Sequence, residues 1–165
     1  VNPPDTKSIT VQIVDSSAPK LKPVANKYLL WPPDHKMIPI AIAANASDNS
    51  GCPVTINAAI ASNEPILGLG DGDKGPDWTQ PVIDQSTGMI YFQLRAERSG
   101  RGKGRIYTVT VTATDCSGNI STAKVKNRVP HDKDNDERKR EDKGEHDRDD
   151  RDDKKGCNDD RDDRD

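Results

Sequence analysis

The sequence predicts an all-β fold: an antiparallel β-sandwich of the immunoglobulin type with about 7–8 strands, an extra N-terminal strand and a charged C-terminal tail. Three observations predict it. Short β-branched segments recur between Gly, Pro, Asn and Asp, the pattern of strands separated by turns. No stretch carries apolar residues at the i, i+3, i+4, i+7 spacing of an amphipathic helix. From His131 onward the composition changes abruptly: the last 35 residues hold 17 acids and 11 bases, and Cys157 is the sole apolar residue among them.

Taken in order, KSITVQIVD (7–15) alternates Ile9, Val11 and Ile13 against Thr10 and Gln12, the two-residue period of a strand with one buried face. SSAPKLKP breaks it. The next segments are VANKYLLW (24–31), KMIPIAIAA (36–44), PVTINAAIA (53–61), TQPVID (79–84), GMIYFQLRAER (88–98), GRIYTVTVTATD (104–115) and STAKVKNRV (121–129). Ile38, Ile40 and Ile42 alternate cleanly. In GRIYTVTVTATD, Tyr107, Val109, Val111 and Ala113 share one face and Thr108, Thr110 and Thr112 the other, which predicts one dry and one wet side. DCSGN (115–119) is the turn into the last strand, with Gly118 and Asn119 suited to positive φ.

These segments divide the chain into an N-terminal strand and linker (1–18), a sandwich (19–130) and a tail (131–165). All 29 Leu, Ile, Val and Phe residues lie before the tail. They make up about 22% of residues 1–130, just above the roughly 20% expected of a folded chain, so one modest core is predicted. The formal net charge of −3 splits into a body of about +3 and a tail of about −6. So charged a tail has too little surface to bury to offset the entropy of ordering, and it is predicted to be disordered on its own. Its DRDD unit recurs at 147–150, 150–153 and 160–163, a polyampholyte suited to pairing with a copy of itself, a charged surface or cations. No apolar run approaches the roughly 18–20 residues of a membrane helix, and no basic-then-apolar leader stands at Val1. A soluble chain without membrane insertion is therefore expected.

Several of these segments resemble a bacterial extracellular immunoglobulin-like module. They are LWPPDHK (30–36), SNEP (62–65), GLGDGDKGPDW (68–78), LRAERSGRGKGRIYTVTVTATDCSGN (94–119) and VPHD (129–132). The resemblance spans roughly residues 19–132 and implies a secreted or cell-surface location without enzymatic residues. In tandem arrays of such modules, a segment like KSITVQIVDSSAPKL is the last strand of a preceding domain and its linker. No such domain precedes it in this sequence. The strand carrying Ile9, Val11 and Ile13 is expected to fold back as an extra edge, to be a remnant of trimming, or to insert into a neighbouring copy through main-chain hydrogen bonds. Insertion is head to tail and generates an open filament.

Candidate chemistry is sparse. Asp71, Asp73 and Asp77 in LGDGDKGPDW supply closely spaced carboxylates of the kind calcium takes, although position five of an EF-hand would be Gly75 and no Glu follows at twelve. A solvated turn is the alternative. Asp48 with Asn49, or Asp115 with Asn119, can join such a site only if the fold brings those loops to the same end. Trp31, Pro32 and Pro33 read as a rigid packed corner, with His35 hydrogen-bonded to backbone. No second body histidine stands by to complete a zinc site, and no GxSxG-type arrangement supports a nucleophile. Glu64 and Glu97 can be paired as carboxylates for glycoside chemistry, but so can any two acids in a sandwich. Enzymatic function is not expected.

Arg95, Arg98, Arg101, Lys103 and Arg105 are predicted to form a basic, Gly-rich hairpin. With only Tyr107 near for stacking and an acidic tail competing for the same surface, nucleic acid is not expected as a partner. The complementary acidic tail, its own or a neighbour's, is the expected occupant, and a solvated loop is the alternative. Pairing of Cys52 with Cys116 would close a loop of about 65 residues, worth about 4 kcal/mol in the chain-entropy model, and suits an oxidising exterior. Cys157 is then the odd thiol, free and exposed or bridged to another chain. The expected function is that of an extracellular structural subunit whose partners are other copies of itself. The alternative is a monomeric, calcium-stabilised surface adhesion module binding a glycan or a protein.

Overall fold

The computed structural model describes Lys7, residues 15–66 and residues 74–131. The predicted N-terminal strand with Ile9, Val11 and Ile13, the acidic positions Asp71 and Asp73, and residues 132–165 with Cys157 lie outside the described residues. The described chain is all-β. Its strands are β1 (Lys20–Leu21), β2 (Val24–Ala25), β3 (Met37–Ala43), β4 (Ala46–Ser47), β5 (Thr55–Ser62), β6 (Val82–Asp84), β7 (Met89–Arg95), β8 (Gly104–Thr114) and β9 (Ile120–Pro130). They form a four-stranded sheet in the order β2-β3-β7-β6, a three-stranded sheet β5-β8-β9 and a small β1-β4 pair. Every strand pair is antiparallel.

The two larger sheets face one apolar core, the arrangement of a β-sandwich. Ile40 and Ile42 of β3 lie opposite Phe92 and Ile90 of β7, and Val109 of β8 lies opposite Ile60 of β5 and Val125 of β9. Ile40, Ile42, Ile90, Phe92 and Leu94 from one sheet, with Ile56, Val109, Val111, Ala113, Val125 and Val129 from the other, are buried in a single cluster. Period-two alternation is what aims these side chains inward, since successive residues of a strand face opposite ways. The dry face predicted for β8 is the buried one, and the threonines opposite are half-buried.

Two segments differ from their predicted form. VANKYLLW is not one strand. Val24 and Ala25 pair with β3, whereas Leu29 bridges Arg128 of β9 in parallel, so the chain crosses from one sheet to the other in between. Asn26 makes the crossing: its amide donates to Ala41 O and its Oδ1 accepts from Ala41 N. The second difference is at 95–105. Because β7 and β8 belong to different sheets, the basic stretch is a crossover between sheets and not a hairpin. Where it enters β8, Gly104 has φ +100, and a Cβ there would lie 2.6 Å from Val129 O, so only glycine fits.

Candidate functional site

The inward face of β8 continues one step beyond Tyr107 to Arg105. Inward positions are filled by whatever residue the alternation places there, and here it is a guanidinium only 1% exposed. A buried charge must be paired and hydrogen-bonded, and Arg105 is. Its Nε donates to Glu64 Oε2 at 3.2 Å, its Nη1 to Asp77 Oδ2 and, at 3.3 Å, to the Tyr107 hydroxyl, and its Nη2 to Pro65 O at 3.2 Å. Glu97 Oε1 lies 3.9 Å from Nη2. The guanidinium also sits 5.8 Å from the Tyr107 ring centroid, and Trp78 meets that ring edge-on at 6.2 Å.

Each acid arrives on a different segment. Glu64 follows β5, just after Asn63, which caps the start of β8 by accepting from Ile106 N at 2.6 Å and donating to Gly104 O at 3.3 Å. Glu64 Oε2 also accepts from Ser99 N at 2.8 Å. Asp77 is brought in by the Pro76–Trp78 segment, which runs beside β7 through Arg95 N to Asp77 O, 2.7 Å. Glu97 follows β7 and is held through Oε2 by His35 Nδ1 at 2.9 Å. His35 has φ +62, and that conformation is fixed by its amide on Ala96 O and by Arg95 Nη1 on its own carbonyl.

Burial is the largest influence on the titration of Asp77, Tyr107 and Arg105. It pushes the Asp77 carboxyl above its ordinary value, in spite of the lowering pull of Arg105. It also pushes the Tyr107 hydroxyl up to about 12. Burial works against the charge of Arg105, but the Tyr107 hydroxyl and the surrounding acids outweigh it and keep the guanidinium protonated. Two carboxylate oxygens, Asp77 Oδ1 and Glu97 Oε1, are buried without a hydrogen-bond partner.

Several expectations are corrected here. Asp77, expected beside Asp71 and Asp73 in a calcium loop, is 1% exposed and engaged by Arg105, so its carboxylate is committed to a cation of the chain itself. His35 is bonded to a carboxylate and not only to backbone. Trp31 does not pack into a corner but is 41% exposed, and the neighbouring Leu30 is the buried residue. Glu64 and Glu97 do come together, yet at 8% and 1% exposure they face the guanidinium. The basic stretch is largely spent internally: Arg95 donates to Pro76 O and His35 O, Arg98 to Pro130 O and His131 O, and Arg105 is buried. Arg101 and Lys103 are the exposed members.

A second cluster forms where β8 ends, about 34 Å away along the 11-residue strand at the usual rise per residue. The loops after β4 and β8 are joined by a Cys52–Cys116 disulfide with a Cα separation of 5.9 Å. That bond holds Asp48 beside Asp115. Asn119 Nδ2 donates to Asp15 O at 3.0 Å and so fixes Asp15 at the same place. One carboxylate oxygen from each of Asp15, Asp48 and Asp115 lies within 4.8 Å of the others. Asp48 and Asp115 therefore share an end of the sandwich, but with Asp15 and not with Asp77.

Sequence reasoning missed Arg105 as a centre and Asp15 as a cluster member, although signals existed. Arg105 stands two residues before Tyr107, on the face already predicted to be dry. Asp15, Asp48 and Asp115 share the spacing Asp-x-Ser, and each uses Oδ1 to accept the serine amide two residues on. No family model, no curated protein and no solved structure matches the chain.

Proposed function

We propose that this chain is an extracellular, non-catalytic structural subunit with an immunoglobulin-like fold that joins end to end with copies of itself. The observation that carries the reading is the fate of the residues with chemistry. His35, Glu64, Asp77, Arg95, Glu97 and Arg105 fasten loops to the sandwich through one buried network, the work of a scaffold and not of a cleft that turns over a substrate. The strand order supports the fold assignment. Counting β2, β3, β5, β6, β7, β8 and β9 as A to G gives sheets A-B-E-D and C-F-G, the order of the constant-type immunoglobulin sandwich. The Tyr107 hydroxyl, bonded back to Arg95 O at 2.8 Å from the start of strand F, resembles the tyrosine corner of that class.

Joining is supported by two features. The alternation of Ile9, Val11 and Ile13 leads directly into Asp15, which Asn119 holds at one pole. Among the described residues β5 pairs only with β8, so its outer edge offers main-chain groups to an added strand. Insertion of one copy's strand there gives a head-to-tail filament. A Cys52–Cys116 disulfide fits an oxidising, extracellular setting.

Light scattering with negative-stain imaging on the full chain tests the assembly. The expected result is concentration-dependent species far above 18.1 kDa, reduced to monomer in an Ile9→Lys/Val11→Lys/Ile13→Lys variant of unchanged thermal stability. A wild-type chain that stays monomeric at every concentration overturns the subunit reading and leaves a monomeric surface adhesion module in its place.

A further inference from the structure

The cluster of Asp15, Asp48 and Asp115 places three carboxylates in one spot. Among the described residues no ion pair reaches any of the three. Like charges this close repel one another. The Oδ1 atoms are all occupied. Asp15 Oδ1 accepts from Ser17 N, Asp48 Oδ1 from Ser50 N, and Asp115 Oδ1 from the amides of Ser117 and Asn119. On the other side of two carboxylates there is a deficit: Asp15 Oδ2 and Asp48 Oδ2 are shut off from solvent and have no hydrogen-bond partner. Buried polar atoms in native folds are nearly always satisfied, and two orphaned anionic oxygens in one cluster ask for a cation. Asp115, 6% exposed, completes the third side.

We propose that Asp15, Asp48 and Asp115 form a calcium site that clamps the N-terminal segment to the end of the sandwich. The donor set is all oxygen, which selects a hard cation, and it is assembled from loops, which suits the flexible, many-ligand shell of calcium better than the strict octahedron of magnesium. The Cys52–Cys116 disulfide keeps the Asp48 and Asp115 loops together, and Asn119 holds Asp15 beside them, so the three carboxylates stand together before any ion arrives. An open cleft lined by Ser17, Ala18, Lys20, Ser47, Asp48 and Asn49 lies on the Asp48 side of the cluster. The site stands whether or not copies of the chain join end to end.

Calcium chloride, with magnesium chloride as the comparison, is titrated into the chelator-treated full chain while thermal unfolding and binding heat are followed. A saturable site is expected with a Kd of about 10⁻⁴–10⁻³ M, typical of extracellular modules, and a Tm rise of about 10 °C at a 100-fold excess over Kd. Asp15→Asn and Asp48→Asn each weaken binding at least about ten-fold, while their Asn side chains keep the Oδ1 acceptor and thus the local turn. Asp15 precedes the first described strand, so its variant tests the site even if Asp48→Asn unfolds. An Asp71→Asn/Asp73→Asn variant binds as the wild type does. The proposal is overturned by any of three results: no Tm shift in about 10 mM calcium, well above that affinity range; a shift that survives in both the Asp15 and the Asp48 variants, which would locate the ion in the acidic tail; or a shift lost in the Asp71/Asp73 variant.

Discussion

Replacing Arg105 with Met removes the one cation at the centre of the buried network and keeps most of the side chain's bulk. The structure sets the size of the effect. This guanidinium donates four hydrogen bonds, two of them to buried carboxylates, and a third carboxylate stands 3.9 Å away. Removing one partner of a buried ion pair leaves uncompensated charge and costs about 3–5 kcal/mol. For a sandwich of this size that corresponds to a fall in Tm of about 10–20 °C. Urea unfolding followed by tryptophan emission is a suitable assay, because Trp78 packs on Tyr107 within the network. The pH dependence separates this cause from a packing defect. Burial already raises the folded-state pKa of Asp77 above the unfolded value of 3.8, and Arg105 opposes the rise. Without Arg105 the folded value climbs further. A group raised in the folded state contributes fully below its unfolded pKa, and that contribution is lost as pH rises through the folded value. The deficit of Arg105→Met is therefore expected to be small near pH 4 and complete by pH 7. A variant within about 1 kcal/mol of wild type at pH 7, where loss of a buried partner demands several, would refute the reasoning. So would one with the same deficit at both pH values.

Two further outcomes rest on covalent and backbone geometry. A Cys52→Ala/Cys116→Ala variant is expected to lose about 4 kcal/mol in urea unfolding, from a cross-link between residues 64 apart, and reducing agent is expected to bring the wild type down to the same level. Gly104→Ala is expected to lose about 2–3 kcal/mol, because its positive φ is compounded by contact with Val129 O. Gly118→Ala, at φ +89 with nothing within 4 Å, carries only the backbone strain and should lose about 1 kcal/mol; equal losses at the two sites would show that the close approach at Gly104 is unimportant.

Much of the fold was legible because the strands announce themselves locally. Ile38, Ile40 and Ile42 alternate, as do Tyr107, Val109, Val111 and Ala113, and the pleat converts that alternation into a buried face whatever the rest of the chain does. The cross-sheet step at Asn26 was not legible, since VANKYLLW shows a β-prone composition throughout and nothing local says that Ala25 and Leu29 pair with different sheets. The same limit applied to the polar residues. His35, Glu64, Asp77 and Glu97 are far apart in sequence, and each taken alone reads as a loop residue.

What the sequence by itself determined was the all-β class, the positions of the longer strands and the sharp change of composition at His131. Those follow from periodicity and composition, which are properties of neighbouring residues. Only the tertiary structure decided that Arg105 gathers three acids at one end of β8 and that a disulfide and Asn119 gather three aspartates at the other. Both clusters depend on which strands pair and in which register, and pairing is a choice the whole core makes together: it brings Asp15 to within a hydrogen bond of a residue 104 positions away.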